Sequence, residues 1–362
     1  MPALFDPLQL GPIELPNRIV MAPLTRARSC TDAVPNELMA AYYAQRASAG
    51  LLITEATGIN REGLGWPNAP GLWNEAQVEG WRRVTHAVHD HGGRIVVQLW
   101  HMGRLVHPSV SGLQPISSSA TTAPDFAHTY MGKKPYVQAL TASRQDIGRI
   151  VRDYAAAARN AIAAGFDGVQ IHGANGYLVD QFLRDGANFR EDEYGGPIEN
   201  RLRFMSEVLE AVGAAIGMDK VGIRFSPNFY SQGVEDGDPI ALFTAVAKRL
   251  EELQVPWIEL REPVQPTSAG AVPTEPVSPA MRPLYSGKIL INSDYDWASA
   301  WERVEAGNAD AVSIGRLFIA NPDLVQRIAL GAPLGEGDSA TYYSGGAAGY
   351  VDYPTLDEAR AA

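Results

Sequence analysis

The sequence predicts an α/β fold, a single (β/α)8 barrel, on three observations. Short β-branched runs alternate with longer helical patterns from end to end. Eight such runs can be placed, with helix patterns between most of them. The chain has 362 residues, 46% of them hydrophobic, and barrels of this kind pass ~250 residues as one unit with one large core. One domain over residues 1–362, a TIM barrel, is therefore expected rather than two or three smaller ones.

The strand runs lie at 18–25, 50–57, 94–100, 168–172, 220–226, 257–261, 288–293 and 311–316. Helix patterns occupy 36–48, 76–91, 144–164, 199–216, 240–253, 297–306 and 322–330. Ser143 precedes Asp146 as an N-cap with an acid in the first turn, and Gly165, Gly92 and Gly307 mark helix ends where a left-handed residue is wanted. The sixth connection, with prolines at 263, 266, 273, 276 and 279, reads as loop with a short helix near Met281. Residues 103–141 break the rhythm with Pro108, Gly112, Pro115, Pro124, Gly132 and Pro135. An insertion that long after the third strand is expected to cap the site.

Composition removes several function classes. Asp+Glu 41 against Lys+Arg 30 gives a net charge of −11, which disfavours nucleic acid and anionic membrane surfaces as partners. One cysteine, Cys30, cannot form a disulfide framework, a Cys-based zinc site or an iron–sulfur cluster. Its expected state is a free buried thiol in a reducing cytoplasm. The amino terminus lacks a signal-peptide pattern and no apolar run approaches ~20 residues, so a soluble, unprocessed cytoplasmic protein is expected. His86, His89 and His91 lie toward a helix end and Asp236 and Asp238 flank Gly237; both groups read as structure, with no metal expected.

In a (β/α)8 barrel, catalytic groups come from the carboxyl-terminal ends of strands. The fourth run ends in His172-Gly-Ala-Asn175-Gly-Tyr177. A histidine and an amide there can polarise a carbonyl or nitro oxygen, and a phenol with pKa near ~10 can act as an acid. On these residues alone, an ordinary strand-end turn with a satisfied buried histidine stands as the alternative. A Schiff-base lyase would need a lysine at a strand's carboxyl end, and none of the five lysines sits there.

The run from Val169 to Leu178, Gln181-Phe182-Leu183, Asn188-Phe189-Arg190, and Glu199-Asn200-Arg201 resembles the signature of the Old Yellow Enzyme family of FMN-dependent ene-reductases. Met21-Ala22-Pro23-Leu24-Thr25-Arg26, the Gln98–His101 strand end, Gly315-Arg316 with Ile319–Asp323, and Gly349–Pro354 resemble it in the same order. The resemblance implies non-covalent FMN and NAD(P)H as transient reductant. For FMN it implies Thr25 at the flavin O4, Gln98 on the pyrimidine edge, Arg224 by N1 and O2, and Gly315 with Arg316 at the phosphate. Main-chain groups of Pro23 and Ala56 would line the ring. It further implies hydride transfer from FMN N5 to the β-carbon of an activated alkene, protonation of the α-carbon by Tyr177, and His172 and Asn175 on the activating oxygen. Trp66, Trp100 and Tyr343 match substrate-pocket aromatics, barrel packing being the alternative for Trp66.

Small enones, maleimides and nitro compounds are the implied substrates, reduction of nitroesters or nitroaromatics at the same site being the alternative activity. A monomer or homodimer is expected. A non-catalytic flavin-binding protein, the alternative of a different class, would not need the His172, Asn175 and Tyr177 group. One departure weakens part of the phosphate site: the seventh run ends in Asn292-Ser293-Asp294, where a carboxylate would repel phosphate. Ser293 is thus a weaker cofactor contact than Arg316, with Asp294 expected to cap the following helix.

Overall fold

The structure, a computed structural model, describes residues 3–230, 232–262, 275–292 and 297–361, without the side chains of residues 297, 298 and 300. Eight parallel strands close on themselves: β1 (Ile19–Met21), β2 (Leu51–Ile53), β3 (Ile95–Trp100), β4 (Gly168–His172), β5 (Val221–Phe225), β6 (Trp257–Arg261), β7 (Lys288–Asn292) and β8 (Ala311–Ile314). Each pairs with its sequence neighbours, and β8 with β1 completes the ring. The helices between them, α1 (Glu37–Ala44), α2 (Glu75–Asp90), α3 (Arg144–Ala163), α4 (Arg203–Ile216), α5 (Pro239–Glu252), α6 (Trp297–Glu305) and α7 (Leu324–Leu330), complete the α/β barrel. Caps fix their starts: Ser143 and Asp146 form a reciprocal capping box on α3, and Asn74 with Gln77 does so on α2. No helix among the described residues is long and apolar enough to cross a membrane.

The barrel interior is layered by polarity. At its amino-terminal end, a hairpin of Leu8–Leu10 and Ile13–Leu15 packs its buried leucines and Ile13 against Val20, Ile53, Val96, Trp257 and Leu290. Toward the carboxyl ends the inward residues turn polar. Gln98 lies in register with Gln170, Arg224 with Glu259, and Asn292 with Ser313. Register partners in parallel strands share a face, so these side chains meet inside the barrel. A dry floor under a polar upper layer places the chemistry at the end where the long loops are.

Two strands are shorter than their patterns suggest. The second run stops at Ile53 and resumes only as Thr57–Gly58: Thr54 N–H still donates to Val96 O of β3 at 3.0 Å, but the Glu55 backbone bonds to side chains. Thr54 and Thr57 hydroxyls both donate to Glu55 O at 2.9 Å, and Tyr43 Oη lies 2.8 Å from Glu55 N. The first run ends at Met21, since Pro23 has no N–H to donate. The helix pattern 199–216 divides at Leu202 into Ile198–Arg201 and α4. Near Met281 the expected short helix, Ser278–Met281, has its Val277 and Ser278 N–H groups on buried Glu262.

The insertion after β3 forms its own small sheets. Ile116–Ser117 pairs with Leu140–Thr141, and Phe126–Thr129 pairs with Gly132–Pro135. Gln181 fastens this cap to the barrel with all of its amide capacity. Its Oε1 accepts from Arg104 N at 3.1 Å and Ser117 Oγ at 2.8 Å, while Nε2 donates to Met102 O at 3.1 Å and Gly176 O at 2.7 Å. Gly103, at φ +62, lies so close that a Cβ would fall 2.1 Å from Gln181 Oε1.

Candidate active site

The turn after β4 is built to a fixed shape. A Cβ on Gly173 would stand 2.9 Å from Arg224 O, whose carbonyl accepts the Gly173 N–H at 2.9 Å. Asn175 takes a left-handed conformation, φ 58, held by its N–H on Ser226 Oγ at 2.8 Å. Asp180, in the short helix Leu178–Leu183, accepts the Gly176 N–H at 2.9 Å and pairs with Arg184 at 3.0 Å. Arg184 in turn donates to Ser226 O and Pro227 O. The turn carrying Asn175 and Tyr177 is thereby clamped between two neighbouring strand ends.

Three aromatic rings then pack on one another. Tyr177 stands edge-on to Trp100 at 4.9 Å and to His172 at 4.8 Å between centroids. Burial, with Arg224 and Arg261 nearby, pushes the His172 pKa well below its ordinary value, so the ring is neutral. The Ala174 N–H points to Nδ1 at 3.4 Å, which assigns the proton to Nε2 and makes that atom a donor. Burial raises the Tyr177 phenol well above its ordinary range, with Tyr136 and Tyr343 adding to the shift. The hydroxyl is a proton-bearing group throughout the physiological range.

A cavity of about 650 Å³ opens here, in the range of cofactor sites (~300–1,000 Å³). Asn175, Tyr177, Trp66 and Tyr343 line it beside Arg224, Arg261 and Asn292, and the chain segments 22–26 and 312–317 form the rest of its principal wall. Arg224 is held by Asn292 Oδ1 at 2.6 Å and by Glu259 Oε2 at 3.2 Å. Gly315 and Arg316 stand at the start of the helix Arg316–Ala320. A guanidinium with backbone N–H groups suits a phosphate, a second guanidinium suits an electron-rich ring, and the aromatic wall suits a planar ligand. The donor set therefore fits FMN.

Of the residues expected from sequence, Pro23, Thr25, Trp66, Asn175, Tyr177, Arg224, Gly315, Arg316 and Tyr343 line this cavity. His172 and Trp100 are buried against Tyr177. Gln98 is buried and is tied through Gln170 and Glu259 to Arg224, which lines the cavity. Ala56 belongs to an apolar cluster against which Trp66 and Tyr177 pack. Ser293 and Asp294 lie outside the described residues. Cys30 corrects an expectation: the thiol is exposed, because the loop after β1 carries it to the surface.

The histidines of α2 pair with carboxylates, His86 with Asp90 one turn on and His89 with Asp167 just before β4. Asp236 pairs with Arg201 at 2.6 Å, and Asp238 caps α5 through Ala241 N. Sequence reading missed Arg261, Asn292 and Tyr342 in the wall, and His128 of the cap, whose ring lies 4.5 Å from Trp66. The position of Arg261 at a strand's carboxyl end was the available signal.

Comparison with known proteins agrees with this geometry. Residues 3–334 match the NADH:flavin oxidoreductase / NADH oxidase family. A probable flavin mononucleotide-dependent alkene reductase of Leishmania infantum is 42% identical, covering 98% of this chain and 97% of that protein. The structure of an old yellow enzyme homologue from Zymomonas mobilis superposes with a TM-score of 0.96 at 50% identity, covering 98% of this chain and 100% of that one. Morphinone reductase in complex with tetrahydroNAD gives 0.93 at 43% identity over 99% of both chains. The barrel, the FMN-shaped cavity and these full-length likenesses place the chain in the NADH:flavin oxidoreductase family, among the Old Yellow Enzyme-type FMN ene-reductases.

Proposed function

We propose that the enzyme reduces activated C=C bonds of α,β-unsaturated carbonyl compounds at this cavity, with electrons drawn from NAD(P)H. The observation that carries the reading is the convergence of a neutral His172, the amide of Asn175 and the protonated phenol of Tyr177 at one strand end. Bound FMN would supply the hydride that the alkene β-carbon receives. His172 Nε2–H and the Asn175 amide bind and polarise the carbonyl oxygen. Tyr177 gives its hydroxyl proton to the α-carbon. Arg224 and Gln98 hold the pyrimidine side of the cofactor, Arg316 and Gly315 its phosphate, and Pro23, Thr25 and Ala56 its ring. Trp66, Trp100 and Tyr343 shape the space for a flat substrate.

The purified protein should be yellow, bleach anaerobically with NADPH and recover its colour with 2-cyclohexenone. Phenols should give a long-wavelength charge-transfer band. Bleaching without recovery by any enone would reject the substrate class while leaving the flavin reading intact. No nucleotide-binding module of the G-x-G-x-x-G type follows a strand, so both substrates use one cavity in turn. Parallel-line steady-state kinetics are expected, and intersecting lines would contradict shared access.

A further inference from the structure

Glu259 is a fully buried carboxylate at the upper layer of the barrel. Both its oxygens are committed. Oε2 lies 3.2 Å from Arg224 Nε and accepts from Gln170 Nε2 at 2.8 Å, and Oε1 accepts from Ser313 Oγ at 2.8 Å. A carboxylate can only accept hydrogen bonds. The amide nitrogen of Gln170 must therefore face Glu259, which turns its Oε1 toward Gln98, and that oxygen receives Gln98 Nε2 at 2.7 Å. One N–H of Gln98 is spent on Gln170, which anchors the nitrogen end there and leaves Oε1 as the end turned to accept from a ligand. A buried charge thus dictates, two side chains away, which end of an amide is available.

We infer that Glu259 is a positioning residue that fixes the polarity of pyrimidine recognition and compensates the charge of Arg224. The inference rests on the reading that Gln98 and Arg224 face the flavin pyrimidine. Two effects follow from one residue. The Gln98 oxygen would accept the flavin N3–H, and the net positive field that Arg224 offers to the reduced cofactor would be smaller than that of an isolated guanidinium.

Glu259→Gln and Glu259→Asp separate these effects. Wild-type apoprotein should bind FMN about tenfold more tightly than N3-methyl-FMN, which lacks the donor. E259Q should lose most of that preference, because a glutamine can present either end to Gln170. It should also raise the ratio of reduced to oxidised FMN affinity by about tenfold, ~30 mV more positive for two electrons. E259D should move back toward wild type in both. A thermal unfolding curve accompanies each variant and shows that it is folded.

An E259Q protein with wild-type preference and potential would overturn the proposal. Gln98→Ala guards the premise. If Q98A abolishes the preference for FMN and E259Q does not, Glu259 fails while the pyrimidine reading stands; if wild type and Q98A discriminate equally, the pyrimidine reading itself fails. Should E259Q not fold, Gln170→Met decides, since a wild-type preference for FMN in a variant that has lost the link between Glu259 and Gln98 would refute control of Gln98 by this carboxylate.

Discussion

Arg261 Nη1 lies 2.9 Å from Asn175 Oδ1, across the strand ends of β6 and β4. A guanidinium has only donors, so the oxygen of Asn175 is the atom turned toward it and the amide nitrogen points elsewhere. The amide that is proposed to bind a carbonyl is thereby presented as a donor. Arg261→Met should release this constraint and weaken phenol binding about fivefold, the worth of roughly 1 kcal/mol. Titration of the charge-transfer band measures it; unchanged phenol affinity would show that Asn175 orients itself.

Tyr177→Phe keeps the ring against Trp100 and His172 and removes only the hydroxyl that carries the proton. Enone turnover should fall ~100-fold, within the range of general acids, while the NADPH half-reaction stays near wild type. Stopped-flow traces of the two half-reactions check this separately.

His172 makes stability acid-sensitive. Its native pKa lies well below the ordinary value of 6.5, chiefly through burial and then through Arg224 and Arg261. Below pH ~6.5 the unfolded chain takes up a proton that the folded ring refuses, so stability falls as pH drops, by up to ~1.4 kcal/mol per pH unit. H172Q should lose part of the fall in melting temperature between pH 7 and pH 5.

Glu55 acts in the opposite direction. Burial raises its pKa from 4.5 to about 7, against the N–H groups of Ala27 and Arg26. Between those values the folded state holds a proton that the unfolded chain has released, so this contribution is lost as pH rises from about 4.5 to about 7. Both N–H bonds go to Oε2 alone, at 3.2 and 3.0 Å, and a glutamine oxygen can take both. E55Q should remove this component and make melting temperature rise more steeply with pH over that window, which calorimetry at pH 5 and pH 7 would reveal.

The buried pair Asp180–Arg184 is the keystone of the turn. Asp180→Asn leaves Arg184 without its counter-charge and should cost ~3–5 kcal/mol. A D180N/R184M double variant should recover part of that stability. Urea unfolding of the two variants gives the comparison, and a double variant less stable than the single one would show the charge of Arg184 to be satisfied by Ser226 O and Pro227 O alone.

The barrel was legible in the sequence because buried parallel strands read as short β-branched runs, and β4 and β6 have the bounds that pattern predicts. Asn175 and Tyr177 were legible because their strand end is local in sequence. Their supports were not. Asn175 is oriented by a residue 86 positions away, and Trp66 meets His128 and Tyr343 only through the cap and the carboxyl-terminal segment. Glu259 reads in sequence as a polar residue amid the apolar stretch Trp257–Leu260; only the register of four strands turns it into the anchor of Gln98 and Arg224. The exposed Cys30 was misjudged because nothing local distinguishes a loop that dips inward from one that leaves the surface.

Gln181 has no spare valence for hydrogen bonding: of its four partners, Arg104 and Ser117 belong to the cap, Met102 immediately precedes it, and Gly176 lies in the turn that carries Tyr177. Exchanging this cap for that of a relative is therefore not a modular operation. A transplanted segment that places any side chain at position 103, or lacks a hydroxyl at position 117, would pull on the same amide that seats the turn at Gly176. Substrate scope and proton delivery are in that sense inherited together, and libraries that vary the cap should hold Gly103, Ser117 and Gln181 constant.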